Sequence, residues 1–198
     1  MSTIRVPAKA YILSLLPQSA DVGPGHSRFQ PRGRRLQALA NGLAVPSFWT
    51  PNEINRAFSD ANDIWKREAD IEFTPILISI RSEQVPADEG RMWPYFLNHL
   101  SPRTRGVSVS FVYDLPSHEG GWGGGRIAVV SGQRIGSGLA GFAGSLLAHE
   151  LGHVMLNSPN HSNDVSNLMY GNRNPRMANA GLLNSTQVRS ARSRALSI

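Results

Sequence analysis

Cysteine is absent from all 198 residues. Disulfide staples and thiolate metal sites are therefore excluded, and any metal must be held by histidine, aspartate or glutamate. Long apolar runs are also missing. None approaches the roughly 20 residues that cross a bilayer, so no membrane span is expected. The apolar stretch from Tyr11 to Leu16 behind Arg5 and Lys9 is too short, and broken too soon by Pro17, for a signal peptide. Localisation stays open between no signal, a processed form and another export route. Acidic residues are outnumbered, 14 against 20 Lys and Arg, for a net charge of +6. The basic groups gather at Arg28–Arg35, at Arg103 and Arg105, and at Arg189, Arg192 and Arg194, none interleaved with aromatics in a base-stacking pattern. That pattern is a solvated basic surface, with no nucleic-acid partner expected.

What is present is an ordinary globular composition, 40% hydrophobic and 17% charged, long enough for one domain with a real core. Residues 4–16 form a first strand, interrupted at Pro7. A Gly-, Pro- and Arg-rich loop covers about 17–35, with a short helix over 36–43. A helix opens at Thr50-Pro51-Asn52-Glu53, where Thr50 caps, Pro51 suits the first turn and Glu53 reaches back to the cap. Trp49 and Ile54 are placed as a hydrophobic staple. Ile54, Ala57, Phe58, Ala61, Ile64 and Trp65 give this helix one apolar face. Asp70 ends it, and Ile71–Ile80 is a strand whose parity changes at Pro75, the mark of a bulge or an edge. A helix over Arg91–Leu100 and a strand over 106–114 follow. His118 to Gly125 is expected as a loop, and Arg126–Val130 as a short strand.

From Leu139 to Asn157 the sequence predicts a buried helix, apolar nearly all round, whose only ionisable residues are His149, Glu150 and His153. Burying ionisable groups costs several kcal/mol each unless they are paired or bind a metal. Zinc is the expected partner. Histidines at i and i+4 share one helical face, so His149 and His153 direct their imidazoles at one point. Glu150 sits beside that point as general base for a metal-activated water. Catalytic zinc usually takes three protein ligands and keeps a position open. His161 and Asp164 are the candidates for the third, and a neutral imidazole matches the other two better. Asn157 suits the left-handed residue that ends a helix, and Pro159 prevents its resumption.

These residues resemble the metzincin clan of zinc metallopeptidases, whose signature is H-E-x-x-H-x-x-G-x-x-H followed by a methionine-containing turn. His149, Glu150 and His153 match its first part, and Asn167-Leu168-Met169-Tyr170-Gly171 looks like its turn. The family's glycine and third histidine fall on Leu156 and Pro159, so the loop here is two residues longer. A helix extended by one residue, with Asn157 taking the glycine's place, restores the path to His161. The resemblance implies that Met169 supports the site from below without ligating. It also implies that the strand preceding the helix is a sheet edge, with Gly125, Ile127 and Val129 lining a cleft for an extended peptide. Tyr170 would stand at the wall of a pocket formed with the residues up to Asn174, with oxyanion stabilisation or packing as its role.

The expectation is an α+β chain, a metzincin-like twisted mixed sheet with a buried active-site helix. A small C-terminal subdomain (about 158–198, after about 1–157) ends in a helix capped by Asn184 with Gln187 in the capping-box position. The expected function is a monomeric zinc endopeptidase that takes a peptide or protein substrate. A hydrolase of another peptide-like amide, such as one of the cell wall, and a non-catalytic module with a structural zinc are the alternatives. A closed structural site would need a fourth protein ligand, for which Asp164 is the candidate. His118 is expected at the surface, and His26 and His99 have no constellation around them.

Overall fold

The structure, a computed structural model, describes residues 2–13, 49–81, 89–112, 115, 120–132, 140–171 and 181–198. The expected loop over 17–35, the helix over 36–43, His26, His118 and residues 172–174 lie outside them. The described elements run β1 (Ile4–Leu13), α1 (Pro51–Ala69), β2 (Ile71–Arg81), α2 (Glu89–Leu100), β3 (Val107–Val112), β4 (Gly121–Gly124), β5 (Ile127–Ser131), α3 (Ala140–Leu156) and α4 (Ser185–Ser197). The fold is α+β. Its five-stranded sheet has the order β2-β1-β3-β5-β4, with all neighbours parallel except β4 and β5.

Side chains alternate across the sheet with period two, and each set enters a different core. Val6, Ala8, Ala10 and Ile12 of β1, Val107, Val109 and Phe111 of β3, and Ala128 and Val130 of β5 meet α1, α3 and α4 on one face. Tyr11, Leu13, Val112, Ile127 and Val129 meet Met92, Phe96 and Leu100 of α2 on the other. Parallel strands covered on both faces are buried, and even Ser108 and Ser110 of the central strand β3 are fully enclosed.

Local signals place α1. Thr50 Oγ1 accepts from the Glu53 amide at 3.3 Å, while the Glu53 carboxylate accepts from the Thr50 amide at 2.7 Å. At the far end Asp70 adopts φ 52°, ψ 39°, the left-handed C-cap. Asn62 then ties helix to strand, accepting from the Phe73 amide at 2.8 Å and donating to the Phe73 carbonyl at 2.9 Å. The parity change at Pro75 is a register shift: Ala8 pairs with Pro75, Lys9 with Leu77, and Ile76 has no partner. Because β2 also ends the sheet, the shift disturbs one ladder only. Trp49 donates to the Val112 carbonyl at 3.0 Å and meets Phe111 edge-on at 4.8 Å, fixing the entry to α1 over β3.

Two expectations change. The Gly-rich segment is not all loop, since Gly121–Gly124 forms β4, and the last of its glycines, Gly125, turns the chain at φ 57° into β5. Nor is β5 the sheet edge, since it pairs with β3 on one side and β4 on the other. Gly125, Ile127 and Val129 therefore do not line an open edge. Gly125 is the hairpin tip, and Ile127 and Val129 are fully buried beneath α2. A second pairing strand has taken the position assigned to substrate, and among the described residues β4 ends the sheet on this side.

Candidate metal centre

Helix α3 is buried because it is enclosed by α1, β4, β5 and α4. Trp65 of α1 donates its indole N–H to the Ala148 carbonyl at 3.1 Å, and Leu147, Ala148, Leu151, Val154 and Met155 are fully buried. His149, Glu150 and His153 are about 95% buried with them, at 5%, 4% and 5% exposure. Asn157 ends the helix at φ 47°. Its amide donates to the Val154 carbonyl, and that of Ser158 to the His153 carbonyl. The turn redirects the chain and brings His161 back to the helix.

The three imidazoles converge. One ring nitrogen from each of His149, His153 and His161 lies within 4.8 Å of the others. The His149 and His161 rings stack at 5.3 Å, and His153 stands edge-on to both, at 4.8 Å and 4.9 Å. Carbonyl oxygens fix two of the tautomers. His149 Nδ1 lies 2.7 Å from the Leu168 carbonyl and His153 Nδ1 2.8 Å from the Ser158 carbonyl. A carbonyl only accepts, so each Nδ1 carries the proton and each Nε2 turns a lone pair toward the shared point. Burial lowers the His153 pKa, His161 lowers it further, and the Ser158 carbonyl opposes both. The net direction keeps the ring neutral, as a ligand must be.

This set fits zinc. Tetrahedral coordination at about 2.0–2.1 Å per nitrogen separates two donors by about 3.3 Å, and His153 Nε2 and His161 Nε2 are 3.2 Å apart. Asp164 is engaged elsewhere. Its carboxylate accepts from the Ser166 hydroxyl at 2.7 Å and amide at 2.9 Å, bonds that hold its pKa below the usual carboxylate range. Among the described residues no carboxylate joins the three-histidine group.

Features that no spacing rule picks out hold the site together. β4 presses on α3 because Gly121 and Gly123 face it without side chains. A Cβ at Gly121 would lie 2.7 Å from Glu150 Cγ, and one at Gly123 would overlap the Glu150 carbonyl and come 2.8 Å from His153 Cβ. Gly152, on α3 between the two histidines, leaves room for the Met169 sulfur, which a Cβ there would overlap. Met169 is buried. Asn167 anchors its loop: Oδ1 accepts from the Met169 amide at 2.9 Å, and Nδ2 donates to Gln187 Oε1 at 2.9 Å. That Gln187 oxygen also accepts the Asn184 amide, as part of the capping box of α4. The cap of α4 thus reaches through Asn167 to the neighbouring Leu168 carbonyl that orients His149. Half-buried Tyr170 bridges to Ser162, next to His161. His99 stacks on Tyr95 at 4.4 Å and is not in the cluster. Among the described residues no helix is long and apolar enough to cross a membrane.

No family model matches the chain, and no curated protein does. Solved structures share its fold. A chaperone–substrate complex is 9% identical at a TM-score of 0.57, covering 99% of this chain and 34% of that one. Archaemetzincin from Methanopyrus kandleri is 13% identical at a TM-score of 0.54, covering 96% of each chain. Metalloproteinase-II from Bacteroides fragilis is 11% identical at a TM-score of 0.52, covering 98% of this chain and 54% of that one. The chain thus spans about a third of the first, about half of the third and nearly all of the archaemetzincin.

Proposed function

We propose that this chain is a zinc-dependent endopeptidase of metzincin type, with His149, His153 and His161 as the metal ligands and Glu150 as general base. The observation that carries the reading is the convergence of three imidazoles, two with their tautomers set by carbonyls, beside a buried carboxylate on the same helix. Bound there, zinc would supply Lewis acidity, acidifying a water and polarising a scissile carbonyl.

The protein's own residues do the rest. Glu150 takes the proton of the attacking water and delivers it to the leaving amine, one carboxylate serving both halves of the hydrolysis. Its side chain is enclosed against Gly121 of β4, next to His149 on the same helix. Met169, packed into the space left by Gly152, fixes the floor of the site as the methionine of a Met-turn. Tyr170 stands at the wall beside His161, where packing and a hydrogen bond to the developing oxyanion are both open to it. The substrate lies extended along β4, the sheet edge next to α3, and adds to it as a further strand.

The test combines metal analysis with cleavage of a randomised peptide library by wild type and Glu150→Gln. One zinc per chain is expected in both, with cleavage by wild type and a loss of about 10²–10⁴-fold in the variant. A Glu150→Gln protein that holds zinc and cleaves as well as wild type would overturn the reading.

A further inference from the structure

The two faces of β4 differ. Gly121 and Gly123 face α3 and the metal centre, while Trp122 between them must face the other way, because side chains alternate along a strand. There Trp122 packs against the second core together with Trp93 and Tyr95 of α2. Trp93 meets Trp122 edge to face at 5.9 Å and 87°, and its ring edge lies 3.3 Å from where a Gly124 Cβ would stand. Both indoles are half-buried. They form an aromatic shelf at the outer edge of the sheet, level with the stretch of β4 that touches Glu150 and His153.

We propose that Trp122, backed by Trp93, selects one substrate side chain, aromatic or large and aliphatic, on the face of the edge strand turned away from the metal. This rests on the peptidase reading above. A peptide added to β4 places one residue directly opposite Trp122, on the same face, with its Cβ about 4.5–5.5 Å from the Trp122 Cβ. On the inner side of Trp122 the cross-strand partner is Val129, already fully buried. The incoming side chain therefore packs beside the part-exposed indole, on the strand flank opposite Val129. Residues before and after it point toward α3, where Gly121 and Gly123 offer no side chain. Selection by β4 thus falls on alternate positions, and the strongest preference lies on the face away from the cleft.

The test profiles the peptide library with zinc-loaded wild type, Trp122→Ala, Trp122→Phe and Trp93→Leu. Wild type is expected to favour Phe, Trp or Leu over Ala at one position by about tenfold in kcat/KM, the scale of an aromatic contact with its buried area. Trp122→Ala reduces that preference to within about twofold and leaves the flanking positions unchanged, while Trp122→Phe restores most of it. Trp93→Leu, outside the sheet, weakens it partially and serves if Trp122→Ala does not fold. Glu150-dependent cleavage with an unchanged profile in Trp122→Ala, or in Trp93→Leu when it stands in, overturns the shelf alone. A wild type that cleaves nothing overturns the peptidase reading and the shelf with it.

Discussion

Replacing Gly123 with alanine tests the contact between the sheet edge and the metal helix. The new methyl would overlap the Glu150 carbonyl and approach His153 Cβ to 2.8 Å, whereas carbon atoms settle at about 3.5–4.0 Å. A helical carbonyl cannot rotate away without breaking its own hydrogen bond, so β4 must retreat by about 1 Å. Overpacking of this kind costs about 1–3 kcal/mol. In a domain of this size each kcal/mol shifts Tm by about 2–4 °C, so a fall of about 5 °C is expected for zinc-free protein followed by circular dichroism. Because the strain bears on His153, zinc affinity measured against a competing chelator should drop about 10–100-fold, as it does when a ligand's support is disturbed. The control is Gly125→Ala in the same hairpin, where an added Cβ meets nothing within 4 Å and only the φ of 57° resists. Its cost is about 1–2 kcal/mol, with zinc affinity unchanged. Equal zinc affinities in the two variants would falsify the close contact.

Other outcomes follow from the site's supports. Gln187→Ala removes the acceptor and donor that hold Asn167, and zinc affinity should weaken about tenfold or more in a chelator competition; unchanged affinity would separate the α4 cap from the metal centre. His161→Ala should lose zinc on dialysis while Asp164→Asn keeps one equivalent, read by atomic emission; the reverse result would make Asp164 the ligand. Saturating the apo-protein with zinc at about a hundred times Kd should add about 2.7 kcal/mol. That is a rise in Tm of roughly 5–10 °C, and no rise would contradict a pre-formed site.

Features encoded within a few residues were legible. The caps at Thr50, Asp70, Asn157 and Asn184 each depend on neighbours one turn away, and all four take the expected form. The convergence of His149 and His153 follows from helical spacing. His161 follows from the left-handed turn at Asn157, which absorbs the longer loop. What escaped reading is set by distant contacts. Gly-Trp-Gly-Gly has little strand propensity of its own and becomes β4 because bare glycines let it lie on α3, about thirty residues further on. That pairing also moved β5 off the edge, and no local pattern in Ile127–Ser131 signals it. The amide pair of Asn167 and Gln187 spans 20 residues, and each residue alone looks like an ordinary turn or cap.

The last helix has a consequence for the order of events during synthesis. Gln187 holds the loop of Met169, Arg194 donates to the Gly125 carbonyl at the hairpin tip at 3.1 Å, and Arg192 donates to the Ala69 carbonyl at the end of α1 at 2.7 Å. The three histidines leave the ribosome well before these braces do. Until α4 docks, the loop that orients His149 lacks the contact with Gln187, and the hairpin tip lacks the contact with Arg194. Such non-local contacts form late. A nascent chain therefore carries the three histidines before it carries the braces that α4 supplies.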